Sequence, residues 1–328
     1  MSKQTVFVTR MVPAKGLDLI LNAPDVVAAV WPGELPPPRE LLLEKVRGVD
    51  GLYCLLTEKI NDELLDAAGA QLKVVSQMAV GVDNIDVAAC TQRGIPVGNT
   101  PGVLTEATAD LTLALMLGTA RQLVQAAEAV KAGRWRTWEP MGYTGPDVFG
   151  STVGIIGLGR IGLAVARRLQ GFNVRLLYHN RRPVPAATEV GATWVDLDTL
   201  LAESDFVTLH FPSTLETRHF INAARLRQMK PTATLINTAR GEVVDQAALI
   251  EALQMGIIAY AGLDVTTPEP LPSDNPLLSL PNATVLPHIG SASFSAREKM
   301  ATMAAANLLA GLRGERLPHC VNPGVYAK

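Results

Sequence analysis

From residue 152 onward, short and almost unbroken apolar runs recur: "TVGIIGL", "NVRLLYHN", "DFVTLHF", "ATLINTA", "IIAYAGLDV" and "ATVLPH". Runs of this kind have no polar side to turn to water, so as strands they need cover on both faces. Strand-type runs alternating with helix-forming stretches put a parallel sheet between two helical layers. The first hundred residues repeat the pattern. There "TVFVTR", "GLYCLL", "LKVVSQMAV" and "IPVGNT" read as strands, with "PPPRELLLEKVRG" and "NDELLDAAGA" as helices led by Pro or Asn/Asp. The chain is therefore read as α/β with two doubly wound parallel sheets, and its 328 residues suit two domains.

Between the two series, residues 106–132 hold helix formers throughout, interrupted only by Gly118. They predict one helix about 40 Å long. Its centre, Leu111 to Leu117, is apolar around most of its circumference and needs cover on several sides, in part from a second subunit. The loop that follows carries Trp135, Trp138 and Tyr143 among glycines and prolines. These rings either pack the loop onto its own domain or form a subunit contact, and the aromatic enrichment of interface cores favours the contact.

Charge and cysteine usage narrow the function classes. The 29 basic and 31 acidic residues nearly cancel, with no basic run suited to nucleic acid or a membrane surface. No apolar stretch approaches the roughly 18 residues of a membrane span, and the N-terminus lacks the pattern of a secretory signal. Cys54, Cys90 and Cys320 lie far apart, which predicts reduced, structural thiols and a cytoplasmic protein. No cluster of His, Cys or carboxylates has metal-ligand spacing, so no metal is expected.

The run "TVGIIGLGRIGLAVARRL" contains Gly157-Leu158-Gly159-Arg160-Ile161-Gly162. G-x-G-x-x-G acquires meaning because it follows an apolar strand and opens a helix. Gly157 allows the tight turn, Gly159 lets backbone approach a pyrophosphate, and Gly162 lets helix and strand pack closely. The helix N-terminus adds free N–H groups and the positive end of its dipole. The expected cofactor is thus a nicotinamide dinucleotide. About 20 residues further, a carboxylate would bind the ribose 2′-OH of NAD. Here "LLYHNRRPVP" places Asn180 at that point, followed by Arg181 and Arg182. With no carboxylate to repel a 2′-phosphate and two guanidiniums to bind it, NADP(H) is the expected preference, NAD(H) remaining possible.

Three further side chains stand where strands of the second series end: Arg240 in "LINTARGEVVD", Glu269 in "GLDVTTPEPLP" and His288 in "TVLPHIG". Open α/β sheets bind ligands at those carboxyl ends. Glu269 is flanked by Pro268 and Pro270, which stiffen its turn and pair it most reasonably with His288. The three types together suit reduction of a 2-keto acid. A guanidinium binds the carboxylate bidentately and polarises the carbonyl, while an imidazole oriented by a carboxylate gives a proton to its oxygen. His210, also at a strand end, reads equally as a cofactor neighbour or a structural residue. His179 reads as a flank of the adenosine ribose, and His219 and His319 as surface residues.

The motifs "GLGRIG", "INTARGEVVD", "AGLDVTTPEPLP" and "LPHIGSAS" resemble those of the D-isomer-specific 2-hydroxyacid dehydrogenases, most closely the glyoxylate/hydroxypyruvate reductases. "VGVDNID", "NTPGVLTEATAD" and "ANLLAGLRGE" extend the resemblance over nearly the whole chain. It implies a Rossmann coenzyme domain, residues 106–290, inserted in a split flavodoxin-like substrate domain, residues 1–105 and 291–328. It also implies a homodimer. By the same resemblance Arg240 is the substrate arginine, Glu269 the dyad carboxylate and His288 the acid/base. Backbone N–H groups of Val80 and Gly81 hold the substrate carboxylate, Ser291 borders the substrate, and Trp138 reaches the partner's site. Thr108, Thr238, Asp264 and Gly290 line the nicotinamide, and Gly159 to Ile161 hold the pyrophosphate. The implied reaction is NADPH-dependent reduction of glyoxylate or hydroxypyruvate. A D-lactate or other D-2-hydroxyacid dehydrogenase is the rival enzyme, and a dinucleotide-sensing, co-repressor-like scaffold the rival of another class. Turnover separates that scaffold from an enzyme.

Overall fold

The computed structural model describes residues 3–327, which form two compact units: residues 3–104 with 292–327, and Thr105–Ser291. In the first unit β1 (Gln4–Val8), β2 (Val26–Val30), β3 (Gly51–Cys54), β4 (Val74–Gln77) and β5 (Val97–Gly98) form a parallel sheet of order β2-β1-β3-β4-β5. Side chains alternate across it. Val6, Val8, Tyr53 and Val74 pack with Ala301, Ala304 and Leu308 of the helix Phe294–Leu312, while Phe7, Leu52, Cys54 and Val75 pack with Leu42, Leu64 and Ala89. Gly16 makes the first of these layers tight, since a Cβ there would stand 2.4 Å from the carbonyl carbon of Ala301. The end of the chain thus shares with the helix Ala14–Leu21, through its Leu17 and Ile20, the cover of one face of the sheet that the beginning forms.

In the second unit β6 (Thr152–Ile156), β7 (Arg175–His179), β8 (Thr193–Trp194), β9 (Phe206–Leu209), β10 (Thr234–Asn237), β11 (Tyr260–Leu263) and β12 (Ala283–Val285) are ordered β12-β11-β10-β9-β6-β7-β8. All neighbours are parallel. The order reverses between β6 and β9, and dinucleotides bind outside the carboxyl ends of the strands at such a reversal.

The single helix expected over 106–132 is two. Thr105–Ala120 ends before Gln122, whose backbone is left-handed at φ 48°, and a second helix runs Leu123–Lys131. Gln122 Nε2 donates to the Thr144 carbonyl at 2.7 Å, which ties the break to the following loop. The first helix is about 24 Å long by its 16 residues. Its own unit already buries Thr112, Leu115 and Met116, against the helix Arg160–Leu169 and against β10 and β11. Gly262 permits this seat, because a Cβ there would lie 2.5 Å from Thr119 Oγ1. Apolar surface is instead exposed beyond the break, at Leu123, Val124, Val130, Trp135, Trp138, Met141 and Phe149.

Candidate active site

The glycine turn is built as a cradle. Gly157 has φ 96°, and a Cβ on it would stand 2.7 Å from the His210 carbonyl oxygen; on Gly162 it would stand 2.4 Å from the Gly157 carbonyl oxygen. Gly159 caps the helix Arg160–Leu169, with open space where its Cβ would be. The first helical bond runs from Leu163 N–H to Gly159 O, so Arg160, Ile161 and Gly162 keep N–H groups without an intrahelical acceptor. These features fit a pyrophosphate. His210 is held neutral beside this turn. Burial pushes its imidazole down to about 3, and Nε2 lies 2.8 Å from Thr208 Oγ1.

Asn180 does more than stand in for a carboxylate. Its Oδ1 accepts the Leu158 N–H at 2.6 Å, tying the turn after β7 to the glycine loop. Arg181 and Arg182 are exposed and have neither an ion pair nor a side-chain hydrogen bond among the described residues.

Arg240, Glu269 and His288 stand three to six residues beyond their strands, on turns rather than on the strands themselves. Asn237, buried at the end of β10, holds the first turn: its Oδ1 accepts from Ala239 N–H at 3.0 Å and its Nδ2 donates to the Arg240 carbonyl at 2.8 Å. Gly241 then lies flat against the second turn, since a Cβ there would stand 1.9 Å from the Thr266 carbonyl oxygen. Glu269 Oε1 accepts the Thr266 N–H at 3.0 Å, and its Oε2 is 2.8 Å from His288 Nδ1. Burial raises the Glu269 carboxyl, but His288, the Thr266 N–H and the Arg240 charge outweigh it and hold the group below its usual range. Because Nδ1 faces the carboxylate, Nε2 is the nitrogen left to exchange a proton.

His288 itself has a left-handed backbone, φ 54°, which a side chain rarely adopts. Asp264 enforces it. The Asp264 carbonyl accepts from His288 N–H at 2.9 Å, and its two carboxylate oxygens accept from Ile289 and Gly290 N–H at 2.7 and 2.8 Å. The side chain is 1% exposed, and burial raises its carboxyl against the lowering effect of those bonds and of His288. Both oxygens are therefore already committed within the protein. Thr108 borders the same turn, its Cγ2 3.5 Å from where a Gly290 Cβ would be. Thr238 Oγ1 lies 2.9 Å from Thr112 Oγ1, and Thr112 Oγ1 in turn donates to the Thr108 carbonyl.

The remaining expected residues are placed less closely. Ser291 is half-buried at the end of the His288 turn. Trp138 is 79% exposed and has no hydrogen bond to the His288 cluster. In the first unit the Val80 carbonyl accepts from Asn99 Nδ2 and the Gly81 carbonyl from Gln77 Nε2, at 2.8 and 2.6 Å. Their N–H groups have no acceptor among the described residues, which suits an anion. Sequence reasoning passed over Asn237 and Gly241; an Asn closing an apolar strand just before a turn is their one visible signal.

Residues 113–290 match the family described as D-isomer specific 2-hydroxyacid dehydrogenase, NAD binding domain. The chain is 50% identical over 325 residues to the glyoxylate reductase of Korarchaeum cryptofilum, covering 98% of this chain and 97% of that one. It is also 50% identical to the glyoxylate reductase of Thermococcus kodakarensis, over 98% and 96% of the two chains. Among solved structures, a Thermus thermophilus protein superposes with TM-score 0.91 at 47% identity, covering 97% of this chain and 100% of that one. The NADPH-dependent glyoxylate/hydroxypyruvate reductase of Sinorhizobium meliloti, solved with NADP and malonate, superposes with TM-score 0.83 at 36% identity, over 98% and 97%.

Proposed function

That this chain belongs to the D-isomer specific 2-hydroxyacid dehydrogenases is the premise from which we propose its reaction, the NADPH-dependent reduction of glyoxylate to glycolate and of hydroxypyruvate to D-glycerate. The observation that carries the proposal is the His288–Glu269 pair at 2.8 Å, with Arg240 close enough for its charge to act on the same carboxylate. Reduced nicotinamide, when bound, supplies the hydride. Arg240 binds the substrate carboxylate and draws electron density from the adjoining carbonyl. His288 gives the Nε2 proton to the keto oxygen as the carbonyl carbon is reduced. Glu269, ionised and bonded to Nδ1, orients the ring.

The NADP(H) preference rests on Asn180 in place of a carboxylate and on the two unpaired guanidiniums beside it. A homodimer is supported by the apolar side chains exposed between Leu123 and Phe149, a patch of the kind that marks an interface. A reducing, cytoplasmic setting is supported by Cys54 and Cys90. Both are buried thiols, the first pushed well up by burial and the second up to about 12. The test is NADPH oxidation with glyoxylate, hydroxypyruvate, pyruvate and phenylpyruvate, in the wild type and in His288→Asn. Turnover of glyoxylate and hydroxypyruvate and a loss of about 10²–10⁴-fold in the variant are expected, the usual worth of general acid catalysis. A variant within threefold of wild type removes His288 from the reaction, and preference for phenylpyruvate makes the enzyme a reductase of bulkier acids.

A further inference from the structure

We propose that Trp194 is a positioning residue for nucleotide choice, holding the turn that carries Arg181 and Arg182 in the conformation that receives a 2′-phosphate. The inference rests on the NADP(H) reading above and adds a residue to it. Trp194 lies on β8, the two-residue strand at the edge of the second sheet, in register with Tyr178 of β7. It is a large apolar side chain left 42% exposed, so burial alone does not account for it. Its indole N–H donates to the Asn180 carbonyl at 3.1 Å, and its ring stacks on that of His179 with centroids 6.4 Å apart and planes at 25°.

Asn180 is thereby held at two points. Trp194 fixes its carbonyl, and the Leu158 N–H of the glycine loop binds its side-chain oxygen. The far end of the turn is fixed as well, because Val184 N–H donates to Tyr178 Oη at 3.0 Å. His179 Nδ1, 3.0 Å from the Val195 carbonyl, keeps β8 beside the turn. Between these anchors stand Arg181, Arg182 and Pro183, and the two arginine side chains are the only long groups left free there. A turn fixed before the ligand arrives loses less freedom on binding, so its two guanidiniums bind more tightly than they would on a loose loop. The indole bond therefore favours specifically the nucleotide that has a 2′-phosphate to offer.

The experiment is calorimetric titration of 2′,5′-ADP and of 5′-AMP into the full-length wild type, Trp194→Phe and Trp194→Ala. Trp194→Phe keeps a ring on His179 and removes only the N–H, and at an exposed edge it retains the wild-type melting temperature. In the wild type 2′,5′-ADP binds more tightly than 5′-AMP. In Trp194→Phe the Kd for 2′,5′-ADP rises about three- to tenfold, the worth of one hydrogen bond, while that for 5′-AMP moves less than twofold. Trp194→Ala shows the same asymmetry, enlarged. Equal weakening of both ligands makes Trp194 an adenosine support and overturns the inference. So does a wild-type preference that survives intact in Trp194→Phe, and this result leaves the NADP(H) reading standing. Equal affinity of the wild type for the two ligands overturns the NADP(H) reading itself.

Discussion

Replacing Asp264 by Asn is the sharpest probe of how the proton donor is held. The side chain is 1% exposed, and its two oxygens accept N–H bonds from Ile289 and Gly290 at 2.7 and 2.8 Å. An Asn keeps one acceptor and turns an NH₂ toward the other N–H, so one charge-assisted bond, worth about 1.5–3 kcal/mol, becomes a donor–donor contact. Part of that loss is offset globally, because burial raises the Asp264 carboxyl and a neutral amide avoids the cost of a buried charge. Locally nothing offsets it. His288 sits at φ 54°, a conformation costing about 1–3 kcal/mol that persists only while its surroundings over-determine it. The clamp and the strain are comparable, so weakening the clamp releases the ring. A displacement of about 1 Å at a reacting group costs about 10²-fold. Steady-state assays of Asp264→Asn should therefore show kcat down about a hundredfold, a smaller change in the KM of the keto acid, and a melting temperature only a few degrees lower. A kcat within threefold of wild type would refute the role given to this carboxylate.

Gly241→Ala places a methyl 1.9 Å from the Thr266 carbonyl oxygen, and such overpacking costs about 1–3 kcal/mol. It should separate the Arg240 turn from the Glu269 turn and lower kcat/KM, with loss of stability measured by urea unfolding of the same variant. Replacing Arg181 and Arg182 together by Ala removes charged bonds worth about 1.5–3 kcal/mol each. The KM for NADPH should rise at least about tenfold while that for NADH stays within about threefold, and equal shifts would argue against a 2′-phosphate site. The carboxyls of Asp50, Asp205 and Glu269 are all raised by burial yet held below their usual values by stronger bonds, from Thr5 and Lys73, from Lys230 and Thr152, and from His288. Their stabilising share is complete above the unfolded carboxylate range of about pH 4 and disappears as pH falls through the lowered folded values. Melting temperatures should accordingly hold steady from pH 7 to 5 and fall steeply below pH 4.

The parts of this molecule that were legible in the sequence are those where one physical demand dominates. Strands buried on both faces had to be apolar throughout, so β6, β7, β9, β10, β11 and β12 were visible as runs. The glycine turn was visible because Gly157 and Gly162 stand where a Cβ would collide with backbone. The edge strands β2 and β8 were not read: β2 is the apolar run VVAAV and was overlooked, while β8 is two exposed residues that carry no run. The break at Gln122 escaped notice because its cause is a hydrogen bond to Thr144, 22 residues away, and no local residue disfavours helix there. Asp264 shows the limit within the site. It was expected to line the nicotinamide, but the commitment of both its oxygens to backbone N–H groups depends on how the residues after β11 and β12 meet.

The helix Phe294–Leu312 covers one face of a sheet whose five strands are complete by Gly98. During synthesis that face waits for some 190 residues, from 104 to 294, to be added. At about 5–20 residues per second this is a delay of roughly 10–40 s. In it Val6, Val8 and Val74 lack the share of cover that Ala301, Ala304 and Leu308 supply, while Val12, Leu17 and Ile20 of that layer are already made and the intervening unit can fold. The nascent chain thus passes through a stage with a finished second half and an adhesive, unfinished first half. Premature termination anywhere before residue 294 yields a product destined for chaperones or proteases rather than a usable half-enzyme.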